Sequence, residues 1–456
     1  MGREKLGSRL GFILLSAGCA IGIGNVWKFP YIVGQNGGGI FVVIYLIFLA
    51  ILGIPVMTME FALGRASQKS PIKMYQELEP KGTYWHIHGK VALIGSYLLM
   101  MFYTTVAGWM IRYFVSTASG ELSGLDASEI GAHFESVLAN APMMILFLAI
   151  VMGTAVLVCS IGLKNGLERV TKVMMSALII IMVVLAINSF FMKGGREGLA
   201  FYLKPNFEEV KKVGIGSIVV NAMNQAFFTL SIGMGAMAIF GSYIGKERAL
   251  LSESVNVALL DTFVAISSGL IIFPACFAYG VDVDSGPRLM FITLPNIFNN
   301  IPLGRLWGSL FFVFMSFAAL STVLAVFEEI SACTEDQFGW SRKKSCAING
   351  ILIFVLSIPC CLGFNVLSGF QPMGEGTSIL DLEDFIVSNI ILPLGSLSVI
   401  LFCTTKKGWG WENYLNEVNT GKGMKLKGFV KGYFSYILPV MVIFVFVIGL
   451  IRTFAK

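Results

Sequence analysis

The sequence predicts an all-α polytopic membrane protein with eleven transmembrane helices: two inverted five-helix repeats (helices 1–5 and 6–10) with unwound helices 1 and 6, plus one extra helix. Three observations lead to this fold class. Of the 456 residues, 56% are hydrophobic and only 13% are charged, which is more apolar surface than a water-soluble domain can bury. The apolar residues form eleven long segments. Two of these segments contain the same glycine-rich interruption.

Eleven segments are long and apolar enough to cross a bilayer, because a hydrocarbon core of about 30 Å requires about 20 apolar residues in a helix. They are residues 11–35, 38–64, 88–118, 142–162, 166–192, 217–241, 252–280, 305–337, 341–363, 379–404 and 430–453. Basic residues precede the first segment, as in a signal peptide, but no small-residue cleavage site follows it. We therefore expect the first segment to be retained.

The distribution of Lys and Arg predicts the orientation in the membrane, since cytoplasmic loops carry an excess of these residues. If the N-terminus is cytoplasmic, the loops on that side hold more than twice as many Lys and Arg as the opposite loops. The loop 119–141 contains neither residue and is therefore expected outside. The prediction is a multi-pass protein of the plasma membrane (a bacterial inner membrane), with the N-terminus cytoplasmic and the C-terminus extracellular.

Several kinds of partner and site are not indicated. The net charge of +6 follows from the loop bias and does not suggest nucleic acid, so the lipid bilayer and small molecules are the expected partners. The eight cysteines occur singly or as the Cys360-Cys361 pair, with no metal-ligand spacing and no disulfide framework. No nucleophile–base constellation or phosphate-binding loop is present, which argues against an enzyme.

The first and sixth segments share an Ile-Gly-x-Gly core, at 21–24 and 232–235. They lie five spans apart, so they enter the membrane from opposite sides. This predicts inverted repeats at about 9–192 and 217–404, with an extra helix at about 430–453. Glycine pairs weaken a helix, and unwound backbone at membrane depth is tolerated where it lines a cavity. Glycines can also serve only close helix packing, but two matched interruptions favour a binding site.

Three motifs resemble those of the neurotransmitter:sodium symporter family, in particular its bacterial branch of leucine and multi-hydrophobic amino acid transporters. The motifs are GIGNVWKFPY at 22–31 followed by NGGG at 36–39, QAFFTLSIGMG at 225–235, and DLEDF at 381–385. They look like parts of the family's first, sixth and tenth helices, and the likeness extends from about residue 3 to about residue 450. The resemblance implies a sodium-coupled symporter that imports hydrophobic, aromatic or branched L-amino acids by alternating access.

The resemblance also implies two sodium sites. The first would use the Ala20 carbonyl, the side chains of Asn25, Thr229 and Asp261, and the carboxylate of the substrate. The second would use the carbonyls of Gly18, Ile21 and Ala318 and the hydroxyls of Ser321 and Thr322. Hard oxygen ligands suit a hard cation. The ionised Asp261 would supply the negative charge that chloride supplies in animal relatives, so chloride is not expected to be required. Ser321 and Thr322 can alternatively bond to their own helix.

For the amino acid, the resemblance implies that backbone amides at Ile23 and Gly24 and the Tyr103 hydroxyl meet the carboxylate. Carbonyls near Ala20, Phe228 and Thr229, with Ser231, would meet the amine. The side-chain pocket would consist of Leu99, Tyr103, Phe228, Ser231, Met234, Thr322 and Val326. Taken alone, Tyr103 and Met234 would be read as packed core residues, and only the surrounding motifs indicate a binding role.

The resemblance also implies gates, with Lys28 and Asp384 as the outer pair and Arg3 and Asp336 as the inner pair. Glu60, Glu328 and Glu329 are expected to be structural carboxylates that accept hydrogen bonds. The chain departs from the family in its eleven spans where most relatives have twelve. It also has Leu6 where relatives have Trp, and Ser176 ten residues after Gly166 where some relatives have Pro. The sequence therefore does not decide whether helix 5 unwinds as it does in those relatives.

Two rival functions remain at the level of the sequence. One is a proton-coupled carrier of the same architecture, in which Asp261 would titrate in place of binding sodium. The other is a membrane sensor of amino acids that does not transport. A monomer or weak homo-oligomer is expected, since the last helix of twelve-span relatives has no counterpart here.

Overall fold

The computed structural model describes residues 4–191, 195–280 and 287–454. Within these residues, nine continuous helices are long and apolar enough to cross a membrane, and a tenth span consists of two helices joined at a 55° bend. A further broken span is formed by two helices too short to cross alone. The spanning helices are α1 (Arg9–Ala20), α2 (Ile23–Gln35), α3 (Gly39–Ser67), α4 (His86–Ser119), α5 (Ala141–Ile161), α6 (Leu163–Phe190), α7 (Ile215–Phe228), α8 (Ala236–Ser242), α9 (Leu250–Ala278), α10 (Gly304–Phe338), α11 (Arg342–Leu362), α12 (Ile379–Thr404) and α13 (Gly428–Phe454).

The predicted spans agree with these helices to within about three residues at each end. α1 and α2 form the first span, and α7 and α8 form the sixth. Shorter helices lie in the connections, at Pro71–Leu78, Ala127–Ala139, Gly195–Leu203, Phe207–Val213, Leu294–Asn299 and Trp411–Val418.

The first span is interrupted between Ala20 and Ile23. Ile21 (φ −71°, ψ 90°) and Gly22 (φ −113°, ψ −172°) both have extended backbone, which ends one helix and begins the next. A Cβ atom on Gly22 would lie 2.7 Å from the Tyr103 hydroxyl, so only glycine allows α4 to approach the break this closely. The break places the C-terminal end of α1 and the N-terminal end of α2 side by side.

The sixth span is interrupted between Phe228 and Ala236. Three residues there have positive φ: Ser231 at 50°, Gly233 at 104° and Gly235 at 102°. The glycines adopt this region readily, whereas a serine in it is uncommon and indicates a constrained conformation. The buried Glu60 carboxylate accepts a hydrogen bond from the Gly233 amide at 2.5 Å. As predicted for Glu60, its role is to satisfy backbone that the break leaves unpaired.

α10 lies at the centre of the described fold, where it is mostly buried and packs against α1, α4, α6 and α11. α1 also packs against α6 and α9, and α8 packs against α3. α13 lies at the edge, chiefly against α12, and is the least buried span. The two broken spans are thus enclosed by continuous helices, the arrangement in which irregular backbone at membrane depth is tolerated.

Candidate functional site

A pocket of about 210 Å³ lies where the two broken spans meet. Its lining combines the residues of both breaks with one face of α4 and part of α12. The lining residues are Cys19, Ala20, Gly22, Ile23, Gly24, Asn25, Trp27, Lys28, Leu99, Phe102, Tyr103, Val106, Gln225, Phe228, Thr229, Ser231, Met234, Thr322, Leu380, Asp384, Val387, Ser388 and Leu392. Pockets for drug-sized molecules typically span roughly 300–1,000 Å³, so this one suits a smaller ligand.

One end of the pocket is formed by the first turn of α2. The Ile23 amide donates to the Tyr103 hydroxyl oxygen at 3.0 Å, which fixes the ring against the helix terminus. A Cβ atom on Gly24 would meet nothing within 4 Å, so the pocket is open beside this residue. Amide groups and the positive end of the helix dipole make such a terminus a site for an anionic group.

A cluster of oxygen-bearing side chains is buried beside this helix terminus. The Asn25 amide nitrogen donates to an Asp261 carboxylate oxygen at 2.7 Å and lies 3.3 Å from the Thr229 hydroxyl oxygen. The Thr229 hydroxyl donates to the other Asp261 oxygen at 2.9 Å. The Ala20 residue also lines the pocket next to Asn25. The Asn25 side-chain oxygen points to the other side, where it accepts from the Gly22 amide at 3.3 Å.

A second group of oxygen atoms joins α1 to α10. The Thr322 hydroxyl lies 3.3 Å from the Gly18 carbonyl oxygen and 3.5 Å from those of Ile21 and Ala318. The Ser321 hydroxyl donates to the Ala318 carbonyl of its own helix at 2.9 Å. Both hydroxyls therefore make the local bonds expected of helical Ser and Thr, while Thr322 also reaches the last turn of α1.

Close approach of these two helices depends on a glycine. A Cβ atom on Gly18 would lie 3.1 Å from the Ser321 Cβ atom and 3.2 Å from the Met175 sulfur. Groups of three or more His, Cys, Asp or Glu side chains that could hold a metal ion are not found in the described parts of the chain. The two clusters present hydroxyl, carbonyl and, at Asp261, carboxylate oxygen atoms, which are ligands that suit a hard cation.

The remaining wall of the pocket is apolar. Leu99, Phe228 and Met234 line it as predicted, and Phe102 and Val106 are additional lining residues on α4. These two could have been inferred from the sequence, because Leu99, Phe102, Tyr103 and Val106 follow the i, i+3, i+4, i+7 spacing of one helix face. Val387, Ser388 and Leu392 on α12 also line the pocket, and no motif pointed to them.

The role predicted for Val326 stays a prediction, because this residue is not among those that line the cavity. Thr322 lines the pocket, whereas Val326 is 1% exposed and lies outside its lining. Four residues further along α10 is one helical turn, or about 5.4 Å along the axis. Val326 therefore keeps the direction of Thr322 but lies beyond the end of the cavity, packed in the core.

The predicted outer pair lines the same pocket without forming an ion pair. Lys28 Nζ lies 5.2 Å from the centroid of the Phe228 ring, and Asp384 accepts a hydrogen bond from Ser388 at 2.8 Å. Of the predicted inner pair, Arg3 lies outside the described residues, while Asp336 accepts a hydrogen bond from the Ser70 amide at 2.7 Å.

The comparisons with known proteins decide the family. The family model of the sodium:neurotransmitter symporter family matches residues 3–130 and 129–456. The chain belongs to this family. Family members are sodium-dependent membrane transporters, so this symporter is a multi-pass transporter and not an enzyme.

Relatives of this symporter occur widely. An uncharacterized sodium-dependent transporter of Bacillus subtilis, YhdH, is 35% identical over 446 residues, covering 97% of each chain. An uncharacterized sodium-dependent transporter of Haemophilus influenzae is 29% identical, covering 98% of each chain. A sodium- and chloride-dependent GABA transporter of Drosophila melanogaster is 24% identical, covering 80% of this chain and 43% of the relative.

The crystal structure of the transporter MhsT in complex with L-phenylalanine matches the fold of this symporter with a TM-score of 0.86. The two are 37% identical, and the match covers 98% of this chain and 100% of MhsT. The architecture predicted from the sequence is thereby confirmed as that of a neurotransmitter:sodium symporter. The same comparison provides a relative whose bound ligand is a hydrophobic amino acid.

Proposed function

We propose that this symporter imports hydrophobic L-amino acids, aromatic or branched aliphatic, by coupling their entry to sodium. The observation that carries this proposal is the contact between an oxygen-rich cluster (Asn25, Thr229, Asp261) and an apolar pocket that begins at a helix N-terminus. An amino-acid carboxylate at that terminus would lie beside the cluster, and its apolar side chain would extend into the rest of the pocket.

Two sodium ions are proposed, one in each oxygen cluster. The substrate carboxylate would complete the first sodium site, so sodium and the amino acid each lack a contact when the other is absent. Binding of either one must then raise the affinity for the other. An ion in the second cluster would hold α1 to α10 through Thr322. Chloride is not part of the proposal, because Asp261 brings a carboxylate to the first cluster.

The lining of the pocket supports a neutral, apolar side chain. Lys28 and Asp384 are the charged side chains of the lining; Lys28 lies against the Phe228 ring and Asp384 bonds to Ser388 of its own helix. The apolar wall of Leu99, Phe228 and Met234 offers a charged substrate side chain no ionic partner, and burying a charge without one is costly. The L-phenylalanine bound to MhsT has a side chain of the kind this wall would accept.

Alternating access would proceed between the two faces of the membrane, with the N-terminus cytoplasmic. The pocket reaches the predicted outer gate residues Lys28 and Asp384. On the opposite side, buried carboxylates pair with cations, as Glu253 does with Arg9 and Glu328 does with Arg342. This asymmetry supports a conformation in which the pocket is open toward the outside and closed toward the cytoplasm. The inverted repeats proposed at about 9–192 and 217–404 would exchange these roles.

A binding screen tests the substrate class. Purified protein is equilibrated with labelled L-phenylalanine at fixed pH in sodium or in potassium, and the twenty unlabelled amino acids compete in turn. We expect binding in sodium only, with displacement by aromatic and branched aliphatic amino acids. Equal binding in potassium that varies with pH would indicate a proton-coupled carrier. Saturable binding without counterflow in proteoliposomes would indicate a sensor.

A further inference from the structure

The cytoplasmic end of the broken first span is held by a carboxylate that the site does not use. Glu168, on α6, is 2% exposed. One of its oxygens accepts a hydrogen bond from the Gly7 amide at 2.6 Å, and the other accepts from the Ser8 hydroxyl at 2.9 Å and from Lys172 at 2.6 Å. Gly7 and Ser8 immediately precede α1, so the carboxylate lies at the positive end of that helix.

The contact involves the start of α1 in two ways. Ser8 is the N-cap residue, and its hydroxyl oxygen accepts from the Gly11 amide at 3.0 Å while donating to Glu168. A Cβ atom on Gly11 would lie 2.2 Å from the nearer Glu168 oxygen. The helix start, its cap and the carboxylate therefore form one packed unit.

α1 packs along its length against α6, α9 and α10, and just before it the Leu6 amide donates to the Tyr243 carbonyl oxygen at 3.3 Å. The far end of α1 is the extended pair Ile21 and Gly22, which permits rotation of α1 relative to α2. At the near end, Arg9 pairs at 3.0 Å with the fully buried Glu253 carboxylate through a side chain that is itself 46% exposed. The buried Glu168 contact includes a backbone amide, which cannot be released by a change of rotamer at the donor.

Glu168 also ends an unusual stretch of α6. Residues Leu163–Glu168 form a π-helical turn before regular α-helix continues from Arg169. Such turns are rare and are frequent at functional positions. The turn lies at the cytoplasmic start of the span in which Ser176 replaces the proline of some relatives, so a second means of rearranging α6 is present.

We propose that Glu168, with Gly7 and Ser8, forms a latch that holds α1 against α6 and must open whenever the site empties to the cytoplasm. This inference rests on the proposed function for its role in the cycle, while the latch itself is a property of the fold. Glu168 is a positioning residue that contacts neither substrate nor sodium. Release of its two hydrogen bonds to Gly7 and Ser8 would free α1 to swing about Ile21–Gly22 and would free the π-helical turn to rearrange.

The test is amide hydrogen exchange of the full chain in sodium-free buffer. Glu168→Gln removes the charge at constant shape. Ser8→Asp keeps a good N-cap but replaces the hydroxyl donor with a second carboxylate. Ser8→Asn is the matched control, since asparagine caps equally well and its amide can still donate to Glu168. Hydrogen bonds to charged groups are strong enough that their loss should speed exchange about tenfold where opening is local.

We expect faster exchange in residues 5–20 and 160–176 of Glu168→Gln and Ser8→Asp. Ser8→Asn should exchange at the wild-type rate, and so should residues 342–362 of all three variants. Saturating sodium should slow exchange again in both variants, which a merely misfolded variant would not show. Unchanged exchange, acceleration in only one of the two variants, or acceleration throughout the chain would overturn the latch. If sodium has no effect on exchange even in the wild type, the proposed sodium site is wrong. The comparison of the variants in sodium-free buffer then still tests the latch.

Discussion

At the scale of single residues, Asn25 has the largest number of roles in the proposed site. Its amide nitrogen contacts Asp261 and Thr229, and its side-chain oxygen accepts from the Gly22 amide at 3.3 Å. It is therefore connected to both breaks and to α9. A residue placed this way should influence the affinities for sodium and for the substrate together.

Substitution Asn25→Ala should weaken sodium and amino-acid binding in parallel, by roughly 5–150-fold for the coupled affinity. Both affinities can be measured by titration, each in the presence and absence of the other ligand. Ser268→Ala is the control, because Ser268 donates to the Asn25 carbonyl oxygen at 2.7 Å and does not line the pocket. A variant in which substrate affinity fell while sodium affinity and the coupling stayed unchanged would disprove the shared site.

Met234 sets part of the width of the apolar wall. Substitution Met234→Phe should narrow the pocket and shift preference from aromatic toward smaller aliphatic substrates. Each methylene that no longer fits is worth about 1–3 kcal/mol of discrimination. Competition by Trp, Tyr, Phe, Leu and Val gives the rank order. Met234→Leu, which conserves volume, should keep the wild-type order, and an unchanged order in Met234→Phe would show that Met234 does not contact the side chain.

Asp261 carries the prediction about chloride. Beside a bound sodium its carboxylate should stay ionised, since a cation within about 4–6 Å favours the charged form. Replacement of chloride by gluconate should therefore leave native uptake unchanged. Asp261→Asn should lose activity and regain part of it with added chloride. Native uptake abolished in gluconate would rule out this role for Asp261.

At the scale of elements, α12 contributes one side of the pocket mouth through Asp384, Val387 and Ser388. Asp384 is hydrogen-bonded within its own helix, and Lys28 lies against the Phe228 ring. A gate of this kind needs two weakly held partners, which can separate and meet in each cycle. The contacts of Lys28 and Asp384 meet this requirement.

Asp384→Asn should lower the rate of uptake much more than it lowers stability, because partly exposed ion pairs contribute only about 0–1 kcal/mol. Uptake rate and thermal unfolding of the same preparation give the comparison. Asp381→Asn is the contrasting control: Asp381 is exposed and accepts from the Ser378 amide at 2.7 Å at the start of α12, so its loss should affect stability more than transport. Normal transport with a large loss of stability in Asp384→Asn would contradict the gate.

The sequence was most informative for elements with a strong local pattern. Hydropathy predicted the spans, and glycine pairs predicted the two breaks, because both signals lie within a few residues. Contacts between distant segments carry no such pattern. The bonds from Glu168 to Gly7 and Ser8 join residues about 160 positions apart, and the α12 lining faces the breaks only after folding.

Within the site, the structure brings together several residues that the family resemblance singled out. Asn25, Thr229 and Asp261 meet in one cluster, and these are the side chains that the family resemblance implied for the first sodium site. Val326 lies outside the cavity lining, because its position along α10 predicts the direction of its side chain but not the depth of the cavity. The depth of a cavity depends on which neighbouring side chains fill it, and no local pattern encodes that.

At the scale of the whole molecule, the two broken spans, the oxygen clusters between them and the latch on α1 form one connected system. Sodium at the second cluster would hold α1 to α10, and Glu168 holds the same helix to α6. The positions of α1 relative to both neighbours would then decide which side of the membrane the pocket faces. Sodium-coupled transport is the central claim that follows from this arrangement.

The most direct measurement of that claim is uptake of labelled L-phenylalanine into proteoliposomes at equal pH on both sides, with sodium outside and potassium inside. The account predicts transient accumulation above the outside concentration, lost when sodium is equal on both sides and lost in Asn25→Ala. Accumulation driven equally well by a proton gradient without sodium, or no accumulation under any gradient despite sodium-dependent binding, would contradict it.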